Sequence, residues 1–356
     1  MIFTAAKMLN SLAILQGFYF AAHGGGDPSY FLFFSIYLYF FSVAEYCEGA
    51  FLVRGIRPGC WHFVGKGLFF ALISCGLMLL VGEGAGQEVI ALTALFAVLP
   101  LLSYWSGPSR DKVADRVFFA IMLLSLIFFS VLLWFVDAGA AFIAYIALYA
   151  LAAHKRGRTQ AFSPREMPEG ANLLQLSAVA LFVPAPRYMD LFFLQMLGAS
   201  QADMTASLGF RVANISVRLP MFIYANFIPP RIGSLDMAFR GRYFALAATA
   251  ALAAFVVCYA AVYLVAPQVQ PLPLALYALA ICLAAYIGEI LRFFASGGIL
   301  FRVSLLAPLL MVPFFWLLFD LVGLTFDVAF AGCFSMAVIP LVLWAYRVEY
   351  RREGAR

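Results

Sequence analysis

Charge is scarce in this chain. Only 12% of its 356 residues are charged, where a soluble domain carries about 25%, and no polar block of domain size interrupts the sequence. The work of the molecule therefore falls to membrane-embedded segments and the short loops between them. Histidine is scarcer still: His23, His62 and His154 lie near predicted segment ends and far apart, so histidine-based catalysis and a histidine metal site both lack ligands at a workable spacing. The six cysteines, Cys47, Cys60, Cys75, Cys258, Cys282 and Cys333, are scattered singly through apolar stretches without a CxxC, and they read as packing residues. No catalytic residue, metal ligand or cofactor emerges, and the expectation is a protein that is not an enzyme. Coupling to a proton or sodium gradient stays open.

What is abundant is apolar side chain. The composition is 65% hydrophobic and includes 38 Phe, and apolar runs of about 20 residues, the length that crosses a bilayer, recur from end to end. This predicts an all-α, polytopic membrane protein. Met1–Ala22 carries one lysine, Lys7, and no small-residue cleavage site before the HGGG at 23–26, so it reads as a first spanning helix rather than a signal peptide. Breaking the chain at its Gly, Pro and charge-rich points gives twelve predicted helices, near 3–22, 29–53, 62–82, 88–105, 116–136, 139–153, 172–197, 204–229, 242–266, 272–295, 300–320 and 325–346.

The net charge of +5 finds its explanation in the loops, not in nucleic acid. One alternating set, HGGGDPS, VGEGAGQE, VDAGA, GASQAD, APQVQP and VGLTFD, contains no Lys or Arg. The other set, which includes RGIRPGCWHFVGK, SGPSRDKVADR, HKRGRTQAFSPRE and the tail YRVEYRREGAR, holds most of the positive charge. Positive residues mark the cytoplasmic side, so both termini are expected in the cytoplasm. The long basic stretch in the middle reads as a linker between two six-helix lobes: 1–153, linker 154–171, 172–347, and a cytoplasmic tail 348–356. An offset of 176 lays the Asp27-Pro-Ser-Tyr at 27–30 over Asp203-Met-Thr-Ala at 203–206, which suggests an internal duplication.

Ionisable side chains deep in the bilayer cost about 2.5–3.5 kcal/mol on insertion scales and are the functional candidates. In SLGFRVANISVRLPMF, residues 207–222, Ser207, Arg211, Asn214 and Arg218 recur at i, i+4, i+7 and i+11 and stack on one helical face. The bland reading is that these arginines pair with internal carboxylates and only join helices. Asp190 follows Arg187 by three residues and Glu289 precedes Arg292 by three, spacings at which each couple can neutralise itself; Glu45 is a further deep carboxylate that can meet an arginine. Arg211 and Arg218 then exceed the carboxylates at their depth, which predicts a net positive lining suited to an anionic group. Pro184 and Pro186 flank the approach to Arg187, and Pro308 and Pro313 are expected to interrupt the eleventh helix.

The two-lobe arrangement, with PRYMDLFFLQMLGASQADMTASLGFRVANI at 186–215 and GGGDPSYFLFFSIYLYFFSVAEYCEGAFLVRG at 24–55, resembles the Wzx-type oligosaccharide flippases of the multidrug/oligosaccharidyl-lipid/polysaccharide (MOP) exporter superfamily, whose multidrug branch is MATE. The chain departs from the multidrug branch in lacking an acidic residue within Met1–Ala22. The resemblance implies a transporter that flips a polyprenyl-diphosphate-linked oligosaccharide, the repeat unit of a polysaccharide, across a bacterial inner membrane by alternating access. Its partners would be that lipid-linked oligosaccharide, membrane lipids and other polysaccharide assembly proteins. The diphosphate would lie against Arg211 and Arg218, with Asn214, Arg187, Asp190, Glu45, Glu289 and Arg292 as further substrate-contacting candidates. A glycosyltransferase or polymerase, a membrane subunit of a polysaccharide export system, and a drug or ion antiporter stay open as alternatives.

Overall fold

The computed structural model describes residues 2–23, 33–44, 60–81, 90–91, 93–95, 97–98, 101, 112–136, 138–157, 182–197, 206–217, 237–265, 270–294 and 297–354. Among them there is helix and no strand, as a bilayer demands of any open chain that must satisfy its backbone internally. The protein is an all-α, multi-pass membrane protein. Four described spans are long and apolar enough to cross a bilayer: Trp61–Leu79, Val113–Phe135, Phe301–Leu321 and Phe326–Val348. Away from the span ends their outward faces are apolar; Leu124, Ile127, Phe128 and Val131 on one of them are all exposed, an arrangement that suits lipid and not water.

The chain divides into two compact units, Met1–Ala171 and Asn172–Arg356. The first contains α1 (Ile2–His23), α2 (Phe33–Ala44), α3 (Cys60–Val81), α4 (Lys112–Phe135) and α5 (Ala138–Gly157). Helix α4 packs on both α1 and α5. Gly17 lets α1 lie directly on an aromatic ring, since a Cβ there would fall 2.1 Å from Cζ of Phe34. Around it Phe18, Phe33, Phe34, Phe129 and Phe142 form a connected aromatic cluster with ring centroids 4.9–5.9 Å apart. Hydroxyls inside these helices turn back on the backbone: Ser42 donates to the Leu38 carbonyl and Ser125 to that of Ile121, each at 2.8 Å.

The second unit contains α6 (Met189–Leu197), α7 (206–217), α8 (Met237–Val265), α9 (Pro271–Phe294), α10 (Gly297–Trp316) and α11 (Phe326–Gly354). Helix α9 packs against α8 and α11, and α10 against α11. The core between them is aromatic: Phe193 and Phe315 stack at 3.9 Å and 4°, and Phe210 sits 4.6 Å from Tyr277 and 4.8 Å from Phe330.

Three differences from the sequence-based expectations have physical causes. The predicted seventh helix, 172–197, is not continuous over its described part: a bend at 183–184 leads into a 3-10 turn, Ala185–Tyr188, and only then into α6. Pro184 and Pro186 supply no N–H for the helical ladder, and the turn closes instead with the Arg187 N–H donating to the Pro184 carbonyl at 3.0 Å. Pro308 and Pro313, by contrast, do not interrupt α10, which runs through both and ends in a π-turn, Leu317–Leu321; Pro308 is half-buried and Pro313 exposed, and a membrane-spanning helix keeps its course through proline by local 3-10 or π adjustment of its ladder. Gly323, at φ 75°, then reverses the chain into α11. Finally, α11 continues to Gly354 through the basic segment expected as a tail, where arginines near a helix C-terminus suit both helix propensity and the macrodipole.

Candidate functional site

Every residue of α7 is buried, including Ser207, Arg211, Asn214 and Ser216. Arg211 is among the largest side chains with no exposure at all, so the physical question is what satisfies its charge. The answer lies on the proline-broken segment. Its Nη2 forms an ion pair with Oδ1 of Asp190, which is itself fully buried. Its Nη1 donates to the Arg187 carbonyl at 2.7 Å, and the guanidinium lies over the Tyr188 ring, 4.6 Å from its centroid. The other carboxylate oxygen of Asp190 accepts a hydrogen bond from Ser207, one turn before Arg211 on α7.

Asp190 is placed for this. It occupies the first turn of α6, where free N–H groups and the helix dipole favour negative charge. A guanidinium, a hydroxyl and a helix N-terminus thus converge on one carboxylate, the condition under which a buried ion pair offsets the desolvation of both partners. The pair forms across 21 residues of sequence, not within one helical turn. Asp190 therefore does not serve chiefly as the neighbour-neutralising partner of Arg187, as the three-residue spacing suggests; the 3-10 turn ends between them, and both oxygens of Asp190 are engaged by α7.

Asn214 extends the node. Its Nδ2 donates to the Tyr277 hydroxyl at 2.9 Å and approaches the Arg187 carbonyl at 3.4 Å. One carbonyl, freed by the break before α6, therefore gathers two side chains of α7. Two polar atoms of the node have no hydrogen-bond partner: Arg211 Nε, a donor, and Asn214 Oδ1, an acceptor. Aromatic rings close the surroundings, with Tyr277 packed on Phe210, Phe330 and Phe334.

Of the sequence-predicted site residues, the structure brings Arg187, Asp190, Arg211 and Asn214 into one cluster. Arg211 is neutralised by Asp190, so it does not by itself supply the expected net positive lining. Glu289 and Arg292 lie on α9. Glu45 and Arg218 fall outside the described residues. Sequence reasoning missed Tyr188 and Tyr277; the first was detectable from its place beside Arg187, the second, 63 residues from Asn214, carried no signal.

A second polar node, in the first unit, also went unread. The Asn10 amide oxygen accepts hydrogen bonds from Tyr37, at 3.0 Å, and from Tyr145, joining α1, α2 and α5. Asn10 Nδ2 has no partner. Beside it is a pocket of about 10 Å³ lined by Ala13, Ile14, Phe34, Tyr37, Phe129 and Tyr145. Six residues further along α1, the side-chain amide oxygen Oε1 of Gln16 accepts from Ser130 of α4 at 2.6 Å.

No family model and no curated protein matches the chain. Among solved structures, a crystal structure of MATE in the bent conformation is similar to it, with a TM-score of 0.49 and 14% sequence identity over 100% of this chain and 95% of that one.

Proposed function

We propose that the protein is a transporter, not an enzyme, and that it moves a polyprenyl-diphosphate-linked oligosaccharide across a bacterial inner membrane, with both termini in the cytoplasm and polysaccharide assembly proteins as its neighbours. The observation that carries this reading is the fully buried Arg211, held by an internal carboxylate yet with its Nε–H unpaired. An ionisable residue inside a membrane bundle is costly and is retained where a substrate or ion must be handled. Arginine presents a permanent, planar charge whose fork matches phosphate oxygens. Asn214 and Tyr277 add neutral hydrogen-bonding groups of the kind that meet saccharide hydroxyls.

A second reading, a drug or ion antiporter, draws on the other member of the pair: Asp190 is a fully buried carboxylate, the group a cationic substrate would seek. Reconstituted vesicles separate the two. Translocation of a fluorescent lipid-linked oligosaccharide, without ethidium transport, supports the flippase; ethidium transport driven by a proton or sodium gradient, without lipid translocation, overturns it. Within the flippase reading, Arg218→Ala abolishes translocation at normal membrane levels, and Arg218→Lys retains part of it because charge survives while the bidentate fork is lost.

A further inference from the structure

The Asp190 carboxylate sits where an anionic ligand group would sit on Arg211. We propose that the Asp190–Arg211 pair is a releasable latch: α6 moves about the proline turn at 184–188, Asp190 leaves Arg211, and an anionic ligand group takes its place on the guanidinium. This rests on the transport reading above and names how the same site is kept closed.

Two independent observations point the same way. The first is mechanical. Asp190 rides on α6, a helix of nine residues, and is preceded directly by a bend and a 3-10 turn instead of continuous α-helix. Short 3-10 stretches within helical segments mark hinges, because their weaker hydrogen bonding absorbs backbone rotation. Arg211 rides on α7, whose described residues are all buried and helical. The negative partner is thus on the articulated element and the positive partner on the fixed one.

The second observation is chemical. The guanidinium is not saturated: Nη1 and Nη2 are engaged, and Nε–H is not. A carboxylate uses one edge of the fork here, since only Nη2 meets it and its other oxygen is taken by Ser207. A phosphate or diphosphate group presents more oxygens and engages Nε and Nη2 together, the side-on bidentate geometry that a monodentate carboxylate leaves unused. Asn214 keeps its contact with the Arg187 carbonyl, so the turn stays tethered while α6 moves.

The test is binding of farnesyl diphosphate, with farnesol as the neutral control, to the full chain in detergent. Asp190→Asn removes the competing charge, and affinity for farnesyl diphosphate is expected to rise about tenfold over wild type, the scale of one hydrogen bond to a charged group. Ser207→Ala weakens the hold on the carboxylate without leaving Arg211 unpaired, and a rise of about threefold is expected from the loss of part of such a bond. Adding Arg211→Gln to either variant removes the gain, and farnesol affinity does not change. Unchanged or weaker farnesyl diphosphate binding by folded Ser207→Ala overturns the latch, whether or not Asp190→Asn folds; so does a gain that persists with Arg211→Gln. If wild-type protein translocates lipid-linked oligosaccharide while these affinities stay flat, the latch falls and the transport reading stands. If the gains are present and translocation is absent, the transport reading falls and the exchange of anions on Arg211 stands.

Discussion

Each unit of the molecule buries a polar node among aromatic rings, and the two nodes are built from different chemistry. In the first unit, Asn10 receives two tyrosine hydroxyls and every participant is neutral. In the second, Asp190 and Arg211 bring opposite charges together with Ser207, Asn214 and Tyr277 around them. Each ties together three helices, so both specify packing in a core rich in phenylalanine and alanine. What separates them is the cost of losing a partner. A stranded hydroxyl or amide costs about 1–3 kcal/mol, whereas an uncompensated buried charge costs about 3–5 kcal/mol. A protein needing only a register pin has no reason to use the second kind, and that asymmetry is why the charged node is the candidate site and the neutral one is not.

The comparison breaks most visibly at Arg211. Replacing Arg211 by Gln strands Asp190 and is expected to lower stability by about 3–5 kcal/mol, read as thermal unfolding in detergent. The Arg211→Gln, Asp190→Asn double variant should lose less than the sum of the two singles. Strict additivity would mean that the pair is not an energetic unit. The neutral node gives the next largest effect: Asn10→Leu removes the amide oxygen that Tyr37 and Tyr145 share, at about 1–3 kcal/mol for the node as a whole, because both tyrosines keep other interactions. Tyr145→Phe, which deletes one donor and keeps the ring, should cost about 1 kcal/mol in the same measurement. If Asn10→Leu proves as damaging as Arg211→Gln, the distinction between the nodes fails.

Two glycines sharpen the comparison through shape alone. At Gly17→Ala the new methyl meets a ring, with three carbons of Phe34 within 2.6 Å, and overpacking of a well-packed core costs about 1–3 kcal/mol. Gly332→Ala is the mildest change. Its Cβ would lie 2.8 Å from Leu318 Cδ1, the end of a flexible side chain that can turn away for about 0.5–1.5 kcal/mol. Equal losses at the two sites would show that Phe34 yields as readily as Leu318.

The sequence made the membrane class legible because apolar run length is a direct readout of bilayer thickness. It also made one face of α7 legible, since Ser207, Arg211 and Asn214 follow helical spacing and all three enter the node. The partner of Arg211 was not legible. The three-residue rule that couples Arg187 with Asp190 assumes an unbroken helix, and Pro184 and Pro186 remove that assumption. Tyr277 and the Asn10 node were invisible for a different reason: neutral side chains contribute no charge anomaly, and their partners are 27 to 135 residues away. Pro308 and Pro313 misled in the opposite direction, because a proline that would break a helix in water is tolerated in a membrane span, where local adjustment of the hydrogen-bond ladder absorbs it.

The burial of α7 on every side has a consequence for how the chain enters the membrane. Residues 206–217 contain an arginine, an asparagine and two serines, and an arginine offered alone to lipid costs about 2.5–3.5 kcal/mol. Asp190 precedes it by only 21 residues, on the segment made immediately before it. The two helices can therefore leave the insertion machinery as a hairpin whose charges are already joined, so that lipid meets a neutral pair. Separating them with a long polar insertion at 198–205 should leave α6 and α7 individually intact in sequence and yet reduce the amount of protein that reaches the membrane.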